Sequence, residues 1–169
     1  YKYLNSIPSV ESKSCISSIV YLYKKYGEKF AKYIDGHFVI IIYDKDKKNF
    51  FIYQDKYTCY EKLFYTRIGD FFYFSNSIVE FLKLSLVKRS SISNTALYHF
   101  FKYTYISPPL TIFENVIQMT IGEFVSIFDG KVENRQYDRW DFSKNRIKNE
   151  KEAIDIYETI LTKSICSLY

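Results

Sequence analysis

A run of apolar residues from Phe38 to Tyr43 stands between the turn pair Asp35-Gly36 and the polar residues 44–49. The run is too short for a helix, and it lacks the polar alternation of a half-exposed strand. Its β-branched and aromatic residues are typical of strands that are covered on both faces. We therefore predict a central, buried strand, with the next apolar run, Phe50 to Tyr53, as its hairpin partner.

Two further apolar runs surround the tight turn Gly69-Asp70. They span Lys62–Ile68 and Phe71–Ser75, and both are rich in aromatic residues. This arrangement predicts a second pair of antiparallel strands. Together with the first hairpin, it predicts a four-stranded antiparallel meander from His37 to Ser75.

The clearest hairpin signal lies later, at Asp129-Gly130. The pair separates the apolar runs Glu123–Phe128 and Val132–Tyr137. Asp-Gly adopts the positive φ angles that two-residue hairpin turns require. A second hairpin is therefore predicted here.

Helices are predicted wherever apolar residues recur at intervals of three and four. Ser14 is expected to cap the first of them. The segments are residues 14–27, 28–33, a helix beginning at Ile78, Ser93–Phe101, and a helix from Glu152 to the C-terminus. These elements together predict one α+β domain.

Composition adds little about function. The net charge is +5, but only five of the 24 basic residues are Arg, and acidic residues lie among the lysines. Because Arg is the residue best suited to phosphates and base edges, a solvated lysine surface explains the charge better than a nucleic-acid groove. Nucleic acid is therefore not an expected partner.

The three cysteines, Cys15, Cys59 and Cys166, are far apart and form no CxxC pair. This pattern predicts neither a zinc site nor a disulfide framework but reduced, buried thiols, as in a cytoplasmic protein. No run is long enough to span a membrane, and no signal peptide is visible. Because the first residue is Tyr1, the chain is expected to be a fragment or a processed product.

A search for catalytic groups finds no candidate. The two histidines, His37 and His99, lie among apolar residues without a nucleophile motif beside them, so both are predicted to be structural. Asp44 and Asp46 are better explained by a solvated turn than by a metal site. We predict no catalytic residue and no metal ligand.

The order of motifs resembles the N-terminal region of the asparagine synthetase family, over residues 14–169. The family's Leu-Tyr-x-x-Tyr-Gly, Leu-Asn-Gly-x-Phe-Ala-Phe-Ala-Leu-Tyr-Asp and Arg-Asp-Arg-x-Gly-x-Lys-Pro-Leu-Tyr-Tyr are similar to Leu22–Gly27, Ile34–Asp44 and Gln54–Tyr65. Its Ala-Ser-Glu-Ile-Lys-Ala-Leu, Tyr-x-Pro-Pro-x-Thr-Ile-Phe and Arg-Tyr-Trp-Asp are similar to Ser75–Leu82, Tyr105–Phe113 and Gln136–Asp141.

The resemblance implies a class II glutamine amidotransferase-like domain that is degenerate or partial. Its fold would be a sandwich of antiparallel sheets with flanking helices, of the N-terminal-nucleophile glutaminase type and incomplete here. The family's catalytic N-terminal Cys has no counterpart in this chain. Cys15 replaces the Asp that binds the glutamine amine, and Ser17 replaces a nearby Glu. No catalytic or substrate-binding residue is therefore expected.

The domain organisation implied is a lead-in loop at 1–13, a glutaminase-like domain at 14–142, and a linker and helix at 143–169 that lead to a synthetase domain. ATP and magnesium would belong to that synthetase domain, and no cofactor is expected in this chain. A synthetase domain or a partner chain, including a second copy, is expected to cover the sheet around Val39 to Ile42. No membrane partner is expected.

These features favour a non-catalytic scaffold domain of an asparagine synthetase-type, ATP-dependent amide-forming enzyme. One alternative is a part of an active glutamine-hydrolysing asparagine synthetase whose catalytic Cys lies upstream of residue 1. Another is a free-standing binding module that uses the lysine and tyrosine surface.

Overall fold

The computed structural model describes residues 14–57, 60–83, 92–139, 147 and 149–166. Four α-helices, one 3-10 helix and seven strands are described within these ranges. The helices are α1 (Cys15–Tyr26), the 3-10 helix (Gly27–Tyr33), α2 (Ile78–Lys83), α3 (Asn94–Tyr103) and α4 (Glu150–Cys166). The strands are β1 (Val39–Asp44), β2 (Asn49–Gln54), β3 (Phe64–Ile68), β4 (Phe71–Ser75), β5 (Ile117–Gln118), β6 (Glu123–Phe128) and β7 (Lys131–Gln136).

The strands form two antiparallel sheets. Sheet A has the order β1-β2-β6-β7, and sheet B has the order β4-β3-β5. The predicted meander of four consecutive strands is therefore wrong, although each of its two hairpins is present. The reason is non-local: β6 pairs with β2 through Ile52 and Val125, so the second edge of β2 is occupied before β3 could use it.

Strand β1 lies at an edge of sheet A and not at its centre. Ile41 and Tyr43 are 44% and 49% exposed, which corrects the prediction of a strand buried on both faces. The apolar run arises because both faces of β1 carry apolar side chains. Phe38, Ile40 and Ile42 pack toward α1, whereas Val39 contacts the core between the sheets.

The apolar residues form three layers of core. The first lies between sheet A and the helices α1 and 3-10, the second between the two sheets, and the third between sheet B and α2. Their buried members are Leu22, Phe30, Ala31, Ile34, Phe51, Tyr53, Phe124 and Tyr137 in the first, Ile52, Leu63, Tyr65, Met119 and Val125 in the second, and Phe64, Phe81 and Val116 in the third. This confirms the predicted α+β sandwich of antiparallel sheets with flanking helices.

Most local predictions are confirmed. The Asp129-Gly130 hairpin is present, and Ser93 caps α3 by accepting a 3.2 Å hydrogen bond from the amide of Ala96 at its Oγ. Ser14 stands at the N-cap of α1, but its side chain makes no capping hydrogen bond.

The cysteine prediction is half right. Cys15 and Cys166 are free thiols, as expected, but both are exposed and not buried. Each lies near an end of a helix, where no other layer covers it. Cys59 lies outside the described residues.

The part of the chain that the structure describes contains no helix with the length and hydropathy needed to cross a bilayer. The lead-in loop predicted for residues 1–13, and residues 143–146 and 148 of the predicted linker, lie outside the described ranges. The boundaries at residues 13, 142 and 143 remain predictions.

Candidate functional site

The first turn of α1 carries Cys15, where the resembling family has the Asp that binds the glutamine amine, and Ser17, where it has a nearby Glu. Cys15 and Ser17 are both exposed, and neither side chain makes a hydrogen bond or ion pair with a described residue. The turn is exposed because α1 is anchored farther along the chain, where Leu22 is 1% exposed. The position is therefore accessible to a ligand.

The chemistry at that turn does not suit an ammonium group. A carboxylate would give charge-assisted hydrogen bonds to the amine of an amino acid, about twice as strong as neutral ones. A thiol and a hydroxyl carry no such charge, and α1 has no acidic residue in its first turn. The arrangement at Cys15 and Ser17 therefore provides no electrostatic recognition of a substrate amine.

A more structured polar cluster surrounds Asp35, just before β1. The hydroxyl of Tyr57 donates a 2.7 Å hydrogen bond to Oδ1 of Asp35, and Nζ of Lys56 lies 3.3 Å from the same oxygen. Lys56 also lies 3.8 Å from Oδ2 of Asp138. The hydrogen bond from Tyr57, followed by the charge of Lys56, lowers the pKa of Asp35. Asp35 is therefore ionised and already has partners at neutral pH.

Asp55 holds this cluster in place from the end of β2. Its side chain is buried, accepts a 2.9 Å bond from the amide of Tyr57 at Oδ1, and accepts a 3.0 Å bond from Nε2 of Gln54 at Oδ2. Its amide donates to the carbonyl of Phe38, and its carbonyl accepts from the amide of Gly122. Asp55 thus joins the start of β1, the end of β2 and the start of β6.

Gln54-Asp55 is similar in position to the Arg-Asp pair of the resembling family, but no pattern in the sequence predicted a role for Asp55. A buried carboxylate that accepts two hydrogen bonds stabilises the fold. The spacing of hydrophobic residues along the chain does not reveal such a role. One hint in the sequence was that Asp55 matches the Asp of the family's Arg-Asp pair, although Gln54 replaces its Arg.

A cavity of about 600 Å³ opens beside the Asp35 cluster. Asp35, Gly36, His37 and Tyr57 line one side of it, and α4 contributes Ile160, Lys163 and Ser164. His37 also lies 6.1 Å from the ring of Tyr60, measured between ring centroids. Asp35, the cavity's acidic residue, is already engaged by Lys56 and Tyr57, so the arrangement holds no free carboxylate base.

A second cavity, of about 360 Å³, lies near β7. Glu123, buried on its rim, accepts hydrogen bonds of 2.7 and 2.8 Å from the amide and hydroxyl of Thr120. Burial, and secondarily the charge of Glu123, raise the pKa of Tyr65 to about 12. Tyr65 is therefore protonated at neutral pH and cannot act as a base. Glu123 stabilises the turn at Thr120 through its two hydrogen bonds.

The remaining candidate residues do not form a reactive group. His99 contacts the rings of Tyr98 and Tyr103. Asp44 accepts hydrogen bonds from the amides of Asp46 and Lys47 at Oδ1 and so stabilises the turn after β1, with its side chain only 13% exposed. Within the described ranges, no three His, Cys, Asp or Glu side chains lie close enough together to hold a metal ion.

The two stacked antiparallel sheets with helices on both outer faces are compatible with the fold of amidotransferase domains. The chain belongs to the glutamine amidotransferase domain family, since the model of that domain matches residues 2–138. The match covers every described element except α4. No sequence among the curated proteins compared matches the chain.

Proposed function

We propose that this chain is a non-catalytic, glutaminase-like scaffold domain of an asparagine synthetase-type, ATP-dependent amide-forming enzyme. Membership of the glutamine amidotransferase family supports the amide-transfer setting. The order of motifs shared with the asparagine synthetase family supports the narrower assignment.

The observation that carries the proposal is a contrast between the first turn of α1 and the end of β2. Cys15 offers no carboxylate where the resembling family binds the glutamine amine, and Ser17 offers none where that family has a Glu. Asp55, by contrast, keeps a buried carboxylate with two hydrogen-bond donors. In this proposal, substrate recognition has been lost while a residue that supports the sheet has been kept.

In this proposal the reactive cofactors belong elsewhere. ATP and magnesium would be held by a synthetase domain, where they would activate the carboxyl group that becomes the amide. The scaffold would contribute a surface, and the sheet around Val39 to Ile42 would be covered by the synthetase domain or by a partner chain. The exposed Ile41 supports the need for such a cover.

The experiment compares two substitutions in the intact gene product. Phe51→Ala opens the core beneath α1, where Phe51 is fully buried, and should lower ATP-dependent amide formation together with thermal stability. Cys15→Ala removes an exposed thiol and should leave amide formation from glutamine or ammonia unchanged. A loss of glutamine-dependent activity alone in Cys15→Ala would contradict the scaffold role.

The second candidate is an active glutamine-hydrolysing asparagine synthetase whose catalytic Cys lies upstream of residue 1. The family match supports it, because the matching model is that of a glutamine amidotransferase domain. A Met-Cys start in the gene, with a downstream Ser-Gly-Gly-x-Asp-Ser, would favour this candidate.

A further inference from the structure

The cavity of about 360 Å³ near β7 has a carboxylate on the wall that belongs to sheet A. Val125 of β6 and Tyr65 of β3 are part of the core layer between the two sheets. Glu123 and Val125 alternate with Phe124 along β6, so Glu123 faces the same layer. An acidic side chain therefore points into a layer that is otherwise apolar, and the cavity is the space in front of it.

The carboxylate of Glu123 is buried among neutral partners. The residue is 6% exposed, and its Oε2 accepts hydrogen bonds of 2.7 and 2.8 Å from the amide and the hydroxyl of Thr120. The hydroxyl of Tyr65 donates a further hydrogen bond to it. None of the ion pairs among the described residues includes Glu123. Because buried charges in proteins are nearly always paired, this carboxylate calls for a cation.

The carboxylate can still accept another hydrogen bond. An ionised carboxylate has about four acceptor sites, and Thr120 and Tyr65 occupy three of them. Asn134, which lines the same cavity, makes a side-chain hydrogen bond with Tyr65 and so holds the hydroxyl in place. A donor in the cavity would therefore meet a carboxylate that is already oriented.

The other charged residues of the cavity do not supply the missing cation. Arg135 lines the cavity, but its Nη2 lies 2.6 Å from Oε2 of Glu133. Arg135 also stands opposite Phe124 in the strand register, on the other face of the sheet from Glu123. Glu114 adds a second acidic side chain to the lining. The charges of the lining therefore favour a positively charged ligand.

The wall opposite Glu123 is apolar, and the cavity is larger than a single ion needs. Its volume lies within the range of roughly 300–1,000 Å³ that is typical of pockets for small organic molecules. No group of three His, Cys, Asp or Glu side chains among the described residues could hold a metal ion there. The apolar side chains of the wall are Pro109, Leu110, Phe113, Val116 and Ile117.

We propose that this cavity binds a small organic cation, namely a protonated amine with an apolar body. The ammonium group donates a hydrogen bond to the carboxylate of Glu123, and the apolar body contacts the wall formed by residues 109–117. Charge-assisted hydrogen bonds are about twice as strong as neutral ones, so the ammonium group provides the selectivity. The proposal concerns binding alone and does not rest on the scaffold role, so an assay of amide formation leaves it standing.

The test is calorimetric titration of the purified chain at neutral pH and constant ionic strength. The probes are n-butylammonium chloride, butan-1-ol and sodium butanoate, which share one apolar body and differ in charge. We expect butylammonium to bind about tenfold or more tightly than butanol, and butanoate not to bind. Equal binding of butylammonium and butanol would overturn the proposal. So would displacement of butylammonium by the same concentration of sodium chloride, which would indicate a site for an inorganic cation.

A matched pair of variants tests the role of Glu123. Glu123→Gln keeps an oxygen that can accept from Thr120 but removes the charge, and it should lower the affinity for butylammonium to that for butanol. Glu80→Gln removes the same charge on α2, outside the cavity, and should leave the affinity unchanged. A preference for butylammonium that persists in Glu123→Gln would contradict the proposal.

Nuclear magnetic resonance of the wild type locates the ligand, also where Glu123→Gln does not fold. The side-chain amide signals of Asn134, in the cavity, should move as butylammonium is added. Those of Asn94, at the start of α3, should not. Binding that leaves the Asn134 signals unchanged would place the ligand elsewhere and overturn the proposal.

Discussion

The two edges of sheet A differ in how they meet solvent. At one edge, β1 carries apolar residues on both faces and no charge before Asp44. At the other, β7 alternates Lys131, Glu133 and Arg135, and five of its six residues are exposed. Charged edge strands resist association, whereas apolar ones invite it. The comparison shows that one edge of the sheet carries charged side chains and that the other does not.

Both hairpins of sheet A are supported by the same core. Phe51 and Tyr53 of β2, Phe124 of β6 and Tyr137 after β7 all belong to the buried layer against α1. The β6–β7 hairpin is also fixed at its open end, where the carbonyl of Gly122 accepts the amides of Tyr137 and Asp138. The two edges therefore differ in their edge side chains and not in whether a core supports them.

The largest effect is expected from two neighbouring residues of β2. Phe51→Ala should lower the free energy of unfolding by about 3–5 kcal/mol, because it empties a fully buried site. Phe50→Ala should cost about 1 kcal/mol or less, because Phe50 is 41% exposed beside Tyr43. Urea unfolding at a concentration where the chain is monomeric measures both. Equal losses would contradict the assignment of Phe50 to an uncovered face.

A substitution at Gly122 should destabilise the β6–β7 hairpin. Its φ is +66°, and a Cβ there would collide with the backbone carbonyl of Asp138. Gly122→Ala should therefore lower the free energy of unfolding by about 3 kcal/mol, from left-handed strain plus the collision. Gly130→Ala is the control, since Gly130 has a similar φ of +68° with open space around it. It should cost about 1 kcal/mol. If the two variants have the same unfolding midpoint, the close approach of the Asp138 carbonyl to Gly122 does not add to the cost of the substitution.

A smaller, pH-dependent effect on stability is expected at Asp44, the last residue of β1. The hydroxyl of Tyr23 donates a 2.6 Å bond to Oδ2 of Asp44, and this bond is the main cause that lowers the pKa of Asp44. A lowered carboxyl pKa adds stability above the unfolded value, near pH 4, and that stability is lost as the pH falls through the folded value. Tyr23→Phe should therefore reduce the melting temperature at pH 7 and flatten its decline below about pH 4.

Melting curves of the wild type and of Tyr23→Phe between pH 2 and pH 7 measure this difference. Asp35 also has a lowered pKa, but it is the same in both proteins and cancels in the comparison. Parallel curves at every pH would show that Tyr23 does not act through Asp44.

The smallest effect is expected on the charged edge. Glu133 and Arg135 form an ion pair of 2.6 Å, with both side chains about 60% exposed. Exposed pairs contribute little, so Glu133→Gln should change the free energy of unfolding by less than about 0.5 kcal/mol. Sedimentation of the same variant measures self-association. If Glu133→Gln promoted dimer formation, this would confirm that the charges of β7 prevent pairing with another strand.

Local signals in the sequence were enough for the hairpins and most helices. Asp129-Gly130 determines its own turn, and Ser93 caps α3 through a bond within three residues. The placement of hairpins in sheets could not be predicted, because β2 pairs with β6, more than 70 residues away. The edge position of β1 follows from that pairing, and an apolar run alone does not distinguish an edge from a centre.

The sequence identified candidate site residues only where a motif of the resembling family could be aligned with the chain. Cys15 and Ser17 stand out because the resembling family has acidic residues there. The cluster of Asp35, Lys56 and Tyr57 could not be foreseen, because it depends on a backbone bond that Asp55 makes across the sheet. Long-range hydrogen bonds of this kind leave no periodicity in the sequence.

The proposed function requires that the domain acts as a support and does not hydrolyse glutamine. The most direct measurement is glutamate release by the intact gene product incubated with glutamine, ATP and magnesium. We predict release no faster than in a protein-free control, and no change in Cys15→Ala. Glutamate release at the rate of a working glutaminase would contradict the account.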